Sequence, residues 1–211
     1  RFESRGLGDV YKRQLIERVD EFVFFDHVQF EKRSWQQRNK IKTPQDPIWL
    51  SVPVSTKGKQ TQAINEAKIL YEGDKNPLDK IIKSIELNYK KAPFYKDYED
   101  DVFKFFTEKP SHIAILNQNI IQWICEKLDI KTPFIHSSTL DVSGTKDALL
   151  VDICQVRNAT HYISPPGSKV YLDESEAFDV AGIDLSYHDY NHPEYTQLHG
   201  DFEPYMCILD L

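Results

Sequence analysis

Hydrophobic and polar positions alternate along this chain in three regimes. In the first, residues 15–20 (Leu-Ile-Glu-Arg-Val-Asp) read as the end of a helix. Residues 22–25 (Phe-Val-Phe-Phe) form a continuous apolar run of strand length, consistent with burial on both faces. Polarity then rises abruptly from Asp26 to Lys42. Turn residues follow in Thr43-Pro-Gln-Asp-Pro47, and a second apolar run covers residues 49–54, where Pro53 restricts the strand to an edge or an end. Residues 55–60 read as a flexible basic loop. Residues 62–71 fit either a strand or a helix.

The second regime is helical. Asn76 and Pro77 supply an N-cap followed by proline at the first helical position. Leu78, Ile81, Ile82, Ile85 and Tyr89 then recur at helical spacing until Ala92-Pro93. A second helix is predicted over 95–108 with Val102, Phe103 and Phe106 inward. A third, capped by Ser111, carries Ile115, Ile121, Ile124, Cys125 and Leu128. The third regime alternates strand and helix. Strands are expected at 132–139, 160–164 and 183–187, helices after Ser143-Gly144 and over 174–181, and an irregular loop over 188–202. That order favours parallel crossovers. The predicted class is therefore α/β, with a mainly parallel central sheet and a helical insertion at about residues 76–129.

Composition narrows the picture without naming a reaction. With 211 residues, 40% hydrophobic and 28% charged, the chain has the composition of a globular domain with a substantial core. A net charge of −7 makes nonspecific nucleic-acid binding an unexpected property. Three cysteines without a CxxC spacing suit buried thiols in a reducing cytoplasm better than a disulfide framework. No apolar run approaches the length of a membrane span. Residues 1–14 lack an apolar period and resemble a translated sequencing-adaptor scar. The last five residues stop inside an apolar pattern, so the chain reads as a fragment clipped at both ends, with one domain over 15–211.

The candidate chemistry gathers where strands turn polar. In a parallel sheet, ligands bind beyond the C-terminal strand ends. Asp26 follows one strand, and Ser137, Ser138 and Thr139 follow another, so the expectation is that they share one edge. Between Glu31 and Lys42, five basic residues (Lys32, Arg33, Arg38, Lys40, Lys42) face one acid, a local reversal of sign. Arginine grips phosphate or carboxylate bidentately and lysine adds point charge; Trp35 offers a stacking face. A solvated loop whose arginines pair with surface acids is the competing reading. Lys146 lies at the start of a helix, which could accept an anion or simply be capped by Ser143 or Thr145. His188 and His192 are four apart, but Pro193 and the aromatic context place them in a loop, so no metal site is predicted. Asp26, His27 and Ser138 are the candidate catalytic groups, without the Gly-x-Ser-x-Gly elbow of a serine hydrolase.

Several stretches in this order resemble the WbqC-like proteins of bacteria. They are residues 20–42, the Trp-Leu-Ser-Val-Pro-Val run from Trp49, Tyr89-Lys-Lys-Ala-Pro-Phe-Tyr95, Ser137-Ser-Thr-Leu, Tyr171-Leu-Asp173, His192-Pro-Glu-Tyr-Thr-Gln197 and the final Ile-Leu-Asp-Leu. The resemblance covers nearly everything from Leu15 onward. It implies an association with surface-polysaccharide (O-antigen) genes and a suggested transfer of glycine or another acyl group to a sugar. Members typically open on a Gln-Pro-x-Tyr-x-Pro-Trp-type segment absent here, which loosely resembles a nucleotidylyltransferase motif and would fit a Rossmann-like fold. The function expected is a cytoplasmic transferase using an anionic activated sugar or acyl donor. Gln29, Lys32, Arg33, Trp35, Arg38, Asn39, Lys42, Ser137, Lys146, His192, Tyr195 and Gln197 are its expected substrate contacts. The alternatives are a non-catalytic nucleotide-sugar or partner-binding protein and a nucleotidylyltransferase. No cofactor is predicted; Mg²⁺ enters only with the last alternative. Oligomeric state is not legible.

Overall fold

The structure is a computed structural model that describes residues 10–59, 61–189 and 192–211. Its elements in chain order are α1 (Val10–Glu17), β1 (Phe22–Phe24), β2 (Arg38–Ile41), β3 (Ile48–Ser51), α2 (Asp79–Tyr89), α3 (Tyr95–Thr107), α4 (Ile113–Lys127), β4 (Phe134–His136), α5 (Lys146–Val156), β5 (His161–Ser164), α6 (Lys169–Leu172), α7 (Ala177–Ala181) and β6 (Asp184–Tyr187). Short 3₁₀ turns cover Ile64–Glu66, Ser137–Thr139, Pro166–Ser168 and Ile208–Asp210. This is a mixed helix-and-strand protein. Residues 10–14, set aside on sequence grounds, form the opening turn of α1; the segment before them lies outside the described residues. The chain divides into two compact units.

The smaller unit contains Leu15–Phe25 and Thr132–Asn191. Its strands form two parallel pairs, β1 with β4 and β5 with β6. The register Phe24↔His136 brings the C-terminal ends of β1 and β4 to the same edge. Because successive side chains alternate across a strand, Phe22, Phe24, Phe134 and His136 share one face. There the Phe24 and Phe134 rings stack at 5.1 Å. Phe25 points the other way and packs on the core built by Leu150, Val151, Cys154, Leu172, Phe178 and Ile183. α7 ends at Gly182, whose φ of 68° is the left-handed conformation that glycine adopts without a Cβ penalty. The amide of Ile183 then closes back on the Phe178 carbonyl at 3.0 Å, and β6 begins.

The larger unit is built mainly from Asp26–Lys131 and His192–Leu211. In chain order its main body falls between the paired strands β1 and β4. β2 and β3 form an antiparallel hairpin with Asn39 opposite Leu50 and Ile41 opposite Ile48. The inward side of this hairpin and α2–α4 enclose the main core, which includes Ile41, Leu50, Val52, Leu78, Ile85, Phe106, Ile113 and Leu116. β2 was not legible in the pattern because Arg-Asn-Lys-Ile contains one apolar residue and turns an asparagine inward. The ambiguous stretch 62–71 resolves into a 3₁₀ turn flanked by isolated bridges, Gln29↔Ala63, Val54↔Ile69 and Lys68↔His112.

Two helix starts differ from their expected caps: Leu78, not Asn76, directly precedes α2, and His112, not Ser111, directly precedes α4. α2 begins at Asp79, and the Asn76 carbonyl oxygen of the side chain accepts from the Leu78 amide at 3.1 Å. Its amide group donates to the Phe106 carbonyl at 2.9 Å, tying α2 to α3. In α4 the inward stripe runs through Ile113, Leu116, Ile120, Ile121, Ile124 and Cys125. Ile115 and Leu128, expected inward, are exposed: at about 100° per residue Ile115 falls on the opposite side from that stripe, and Leu128 is the C-cap residue just past the end of α4. Among the described residues the strands form three two-stranded sheets, not one continuous sheet. No helix is long and apolar enough to cross a membrane.

Candidate functional site

The span from Asp26 to Thr43 carries an unusual density of buried polar side chains: Asp26, Gln36, Asn39, Lys42 and Thr43. Burying polar groups costs free energy unless they are paired, so such a run needs local organisation to exist. Gln36 supplies much of it. Its side-chain oxygen accepts from the Glu31 amide at 2.8 Å, and its carbonyl accepts from Asn117 Nδ2 of α4 at 2.8 Å. Ser34 donates to the Glu31 carbonyl at 2.7 Å. The loop before β2 is therefore a closed turn rather than a free basic segment.

The five basic residues of this span separate into three environments. Lys32 and Arg33 are exposed on the turn, with Arg33 at a positive φ of 57°. Arg38 and Lys40 project from the outward side of β2, because Asn39 and Ile41 occupy its inward side. The Arg38 guanidinium carbon lies 4.2 Å from the centroid of Trp49, and the Lys40 ammonium lies 5.3 Å from the same ring. Trp35 meets Trp49 edge-on at 5.0 Å. Trp49 was not singled out in the sequence; its register position opposite Lys40 is what reveals it.

Lys42 goes elsewhere. Its ammonium is buried and donates to Gln197 Oε1 at 2.7 Å and to the Asp201 carbonyl. Gln197 in turn donates to Asp210 Oδ2 at 2.6 Å and to the Glu203 carbonyl at 2.8 Å. Tyr89 donates to Asp210 Oδ1 at 2.7 Å and accepts from the Lys42 amide at 2.9 Å; Tyr195 donates to Asp210 Oδ2 at 3.1 Å. Two expected substrate contacts, Tyr195 and Gln197, thus converge upon a buried carboxylate, and a third, Lys42, joins them through Gln197. Asp210 and Tyr89 were missed as members of a polar site. Both sit inside apolar runs, Ile-Leu-Asp-Leu and the last turn of α2, where a pattern reading assigns them to the core. His192 stacks with Tyr195 at 6.1 Å and accepts from the Tyr205 amide at 3.1 Å.

Burial and the Asp210 carboxylate both push the Tyr89 phenol well above its ordinary value, and burial does the same for Tyr195. The sign follows from linkage. The unfolded chain loses these protons near pH 10, while the folded chain keeps them. The stability these two phenols contribute is therefore constant below about pH 10 and falls as pH rises above it. Urea denaturation between pH 8 and 11.5 should show this alkaline decline, and Tyr89→Phe should flatten it. An unchanged slope in the variant would remove Tyr89 as its source.

The other predicted residues are dispersed. Asp26 is buried, and its carbonyl accepts from the Asn65 amide at 2.9 Å; His27 is half-buried and Gln29 exposed. In the smaller unit, Ser137 is buried, whereas Ser138 and Lys146 are exposed. Neither Ser143 nor Thr145 caps α5 through its side chain; the Ser143 amide donates instead to Asp152 Oδ2 at 2.6 Å. His188 and His192 belong to different units. His188 is buried, and its Nδ1 accepts from Arg18 Nη1 at 3.1 Å, so the ring is neutral with its proton on Nε2. Burial and the neighbouring guanidinium lower its pKa accordingly. Among the described residues, no group of three or more His, Cys, Asp or Glu is placed to hold a metal ion. The cysteines are buried thiols, and burial pushes those of Cys125 and Cys154 up to about 11.

Comparison with known proteins matches residues 13–211 to the model of a family described as the WbqC-like protein family. An uncharacterized protein of Mycobacterium tuberculosis, Rv1507c, is 36% identical over 200 residues, spanning 93% of this chain and 84% of that protein. No solved structure matches the chain significantly.

Proposed function

Because the chain belongs to the WbqC-like protein family, we propose that it is a transferase that uses an anionic activated sugar or acyl donor, in the cytoplasm, for bacterial surface-polysaccharide biosynthesis. The observation that carries this reading is the run of buried polar side chains from Asp26 to Thr43 beside cations held on the hairpin. A core alone would be built more cheaply from apolar residues, and buried titratable groups concentrate at functional sites. In this reading Asp26 is the general base and His27 its neighbour in proton transfer. Ser138 is the third proposed catalytic group, at the exit of β4. The finer fold proposal is that the two parallel pairs of the smaller unit are parts of one Rossmann-like sheet, the type whose strand ends accept phosphorylated ligands.

The test is turnover. The full chain would be incubated with nucleotide-sugar and aminoacyl donors and a glycosyl acceptor, with products followed by mass spectrometry. Asp26→Asn should then lower the rate by about 100-fold or more, the scale of a general base. A rate within a factor of about three of the unaltered protein would remove Asp26 from that role. A second reading, a non-catalytic binder of nucleotide sugars, is favoured by the way Lys42, Tyr195 and Gln197 spend their polar groups on Asp210 and on one another. Tight donor binding without any product would select it.

A further inference from the structure

We propose that Arg38 and Lys40, held together on the outward side of the β2–β3 hairpin, bind a phosphoryl dianion, so that the donor of the reading above carries a phosphate or diphosphate. Both cations lie over the same indole, Trp49, at 4.2 and 5.3 Å. The register explains why: Lys40 is directly opposite Trp49, and Arg38 is two residues away on the same side. Two like charges, each within 5.3 Å of one ring centroid, repel each other. No salt bridge to either is found among the described residues, although the chain has 33 acidic against 26 basic residues. The buried Nε of Arg38 has no acceptor either. The guanidinium is therefore positioned by the ring, not by an acid, with its outer N–H edge left for a ligand.

That arrangement selects among anions. A guanidinium fixed against an aromatic face offers two parallel N–H donors, the geometry that matches two oxygens of one phosphoryl group. The ammonium beside it adds a second, non-directional charge. Two cations balance a dianion; a single carboxylate would leave one of them uncompensated. Trp49 remains about 40% exposed, so the platform is open to solvent. Lys32 and Arg33, on the preceding turn, lack an aromatic support, and the proposal gives them no part.

The experiment is a titration of the full chain with inorganic phosphate, pyrophosphate and acetate at constant ionic strength, read by tryptophan fluorescence and calorimetry. Saturable binding of phosphate or pyrophosphate, with none of acetate, is expected. Arg38→Gln and Lys40→Gln should each weaken it by about tenfold, the scale of one charge-assisted hydrogen bond. Lys83→Gln, an exposed residue of α2 with no part in the site, should leave it unaltered, with an unchanged melting temperature as the check on folding. The proposal fails if the unaltered chain binds neither phosphate nor pyrophosphate saturably, or if the Arg38→Gln/Lys40→Gln double variant binds them as well as the unaltered protein. The two readings separate cleanly. Donor turnover with no rise in KM in the double variant would sink this site and leave the transferase standing. Phosphate binding lost in the double variant, with no donor ever turned over, would leave the site and sink the transferase.

Discussion

Replacing Asp210 by alanine is expected to destabilise the larger unit by about 3 kcal/mol. The carboxylate accepts from Tyr89, Tyr195 and Gln197, and it is only 8% exposed. Its removal leaves two phenols and an amide as buried donors without their acceptor. Each such loss costs roughly 1–3 kcal/mol, and the sum falls short of additivity because the three share one cavity and can partly re-pair. Gln197 also positions the Lys42 ammonium, so the loss spreads to a buried cation. Asp210→Asn should cost less, since it keeps an oxygen for one phenol. Urea denaturation followed by tryptophan fluorescence is the appropriate measurement: Trp35, Trp49 and Trp123 all lie in the larger unit. A loss in the alanine variant below about 1 kcal/mol would show that solvent replaces the carboxylate and that the network is not a structural centre.

The same network marks where sequence reading succeeded and where it stopped. Helical spacing located α2 and α3, a continuous apolar run located β1, and short strand-like stretches between turns and helices located β4, β5 and β6. Gly182 announced the end of α7, since the chain needs a left-handed residue there. β2 escaped because its inward side mixes Asn39 with Ile41, and a polar residue facing inward erases the alternation. Charge was legible as a sign reversal over residues 32–42, but not as geometry. Residues 38, 40 and 42 look equivalent in the sequence, yet the strand ends between Lys40 and Lys42. The first two stay on the outward side and the third enters the interior. Lys42, Tyr195 and Gln197 were each named as expected substrate contacts, without a reading that joined them. Asp210, which accepts from Tyr195 and Gln197 and reaches Lys42 only through Gln197, was not named, because it lies 168 positions from Lys42 and no local pattern links them. The resemblance to a family reached further than the physics of single segments, and it stops at the family.

Phe106→Ala is expected to have the largest effect on stability, about 3–5 kcal/mol. Phe106 is among the largest fully buried side chains, on the inward side of α3. It adjoins a small apolar cleft also lined by Val102, Ile120, Trp123, Cys207, Ile208 and Leu209. Truncation removes the ring's transfer free energy and enlarges a void that is already present. Collapse is resisted on both sides, because the Phe106 carbonyl is held by Asn76 and α4 is rigidly helical beneath it. Leu87→Ala is the matched control: the residue belongs to α2 of the same unit but is 72% exposed, so its loss should stay within about 0.5 kcal/mol. Trp123 borders the cleft, and its native emission should shift in the Phe106 variant and not in the Leu87 variant. Equal urea midpoints for the two variants would mean that the helices α3 and α4 do not close over a common core, and the packing described for the larger unit would have to be abandoned.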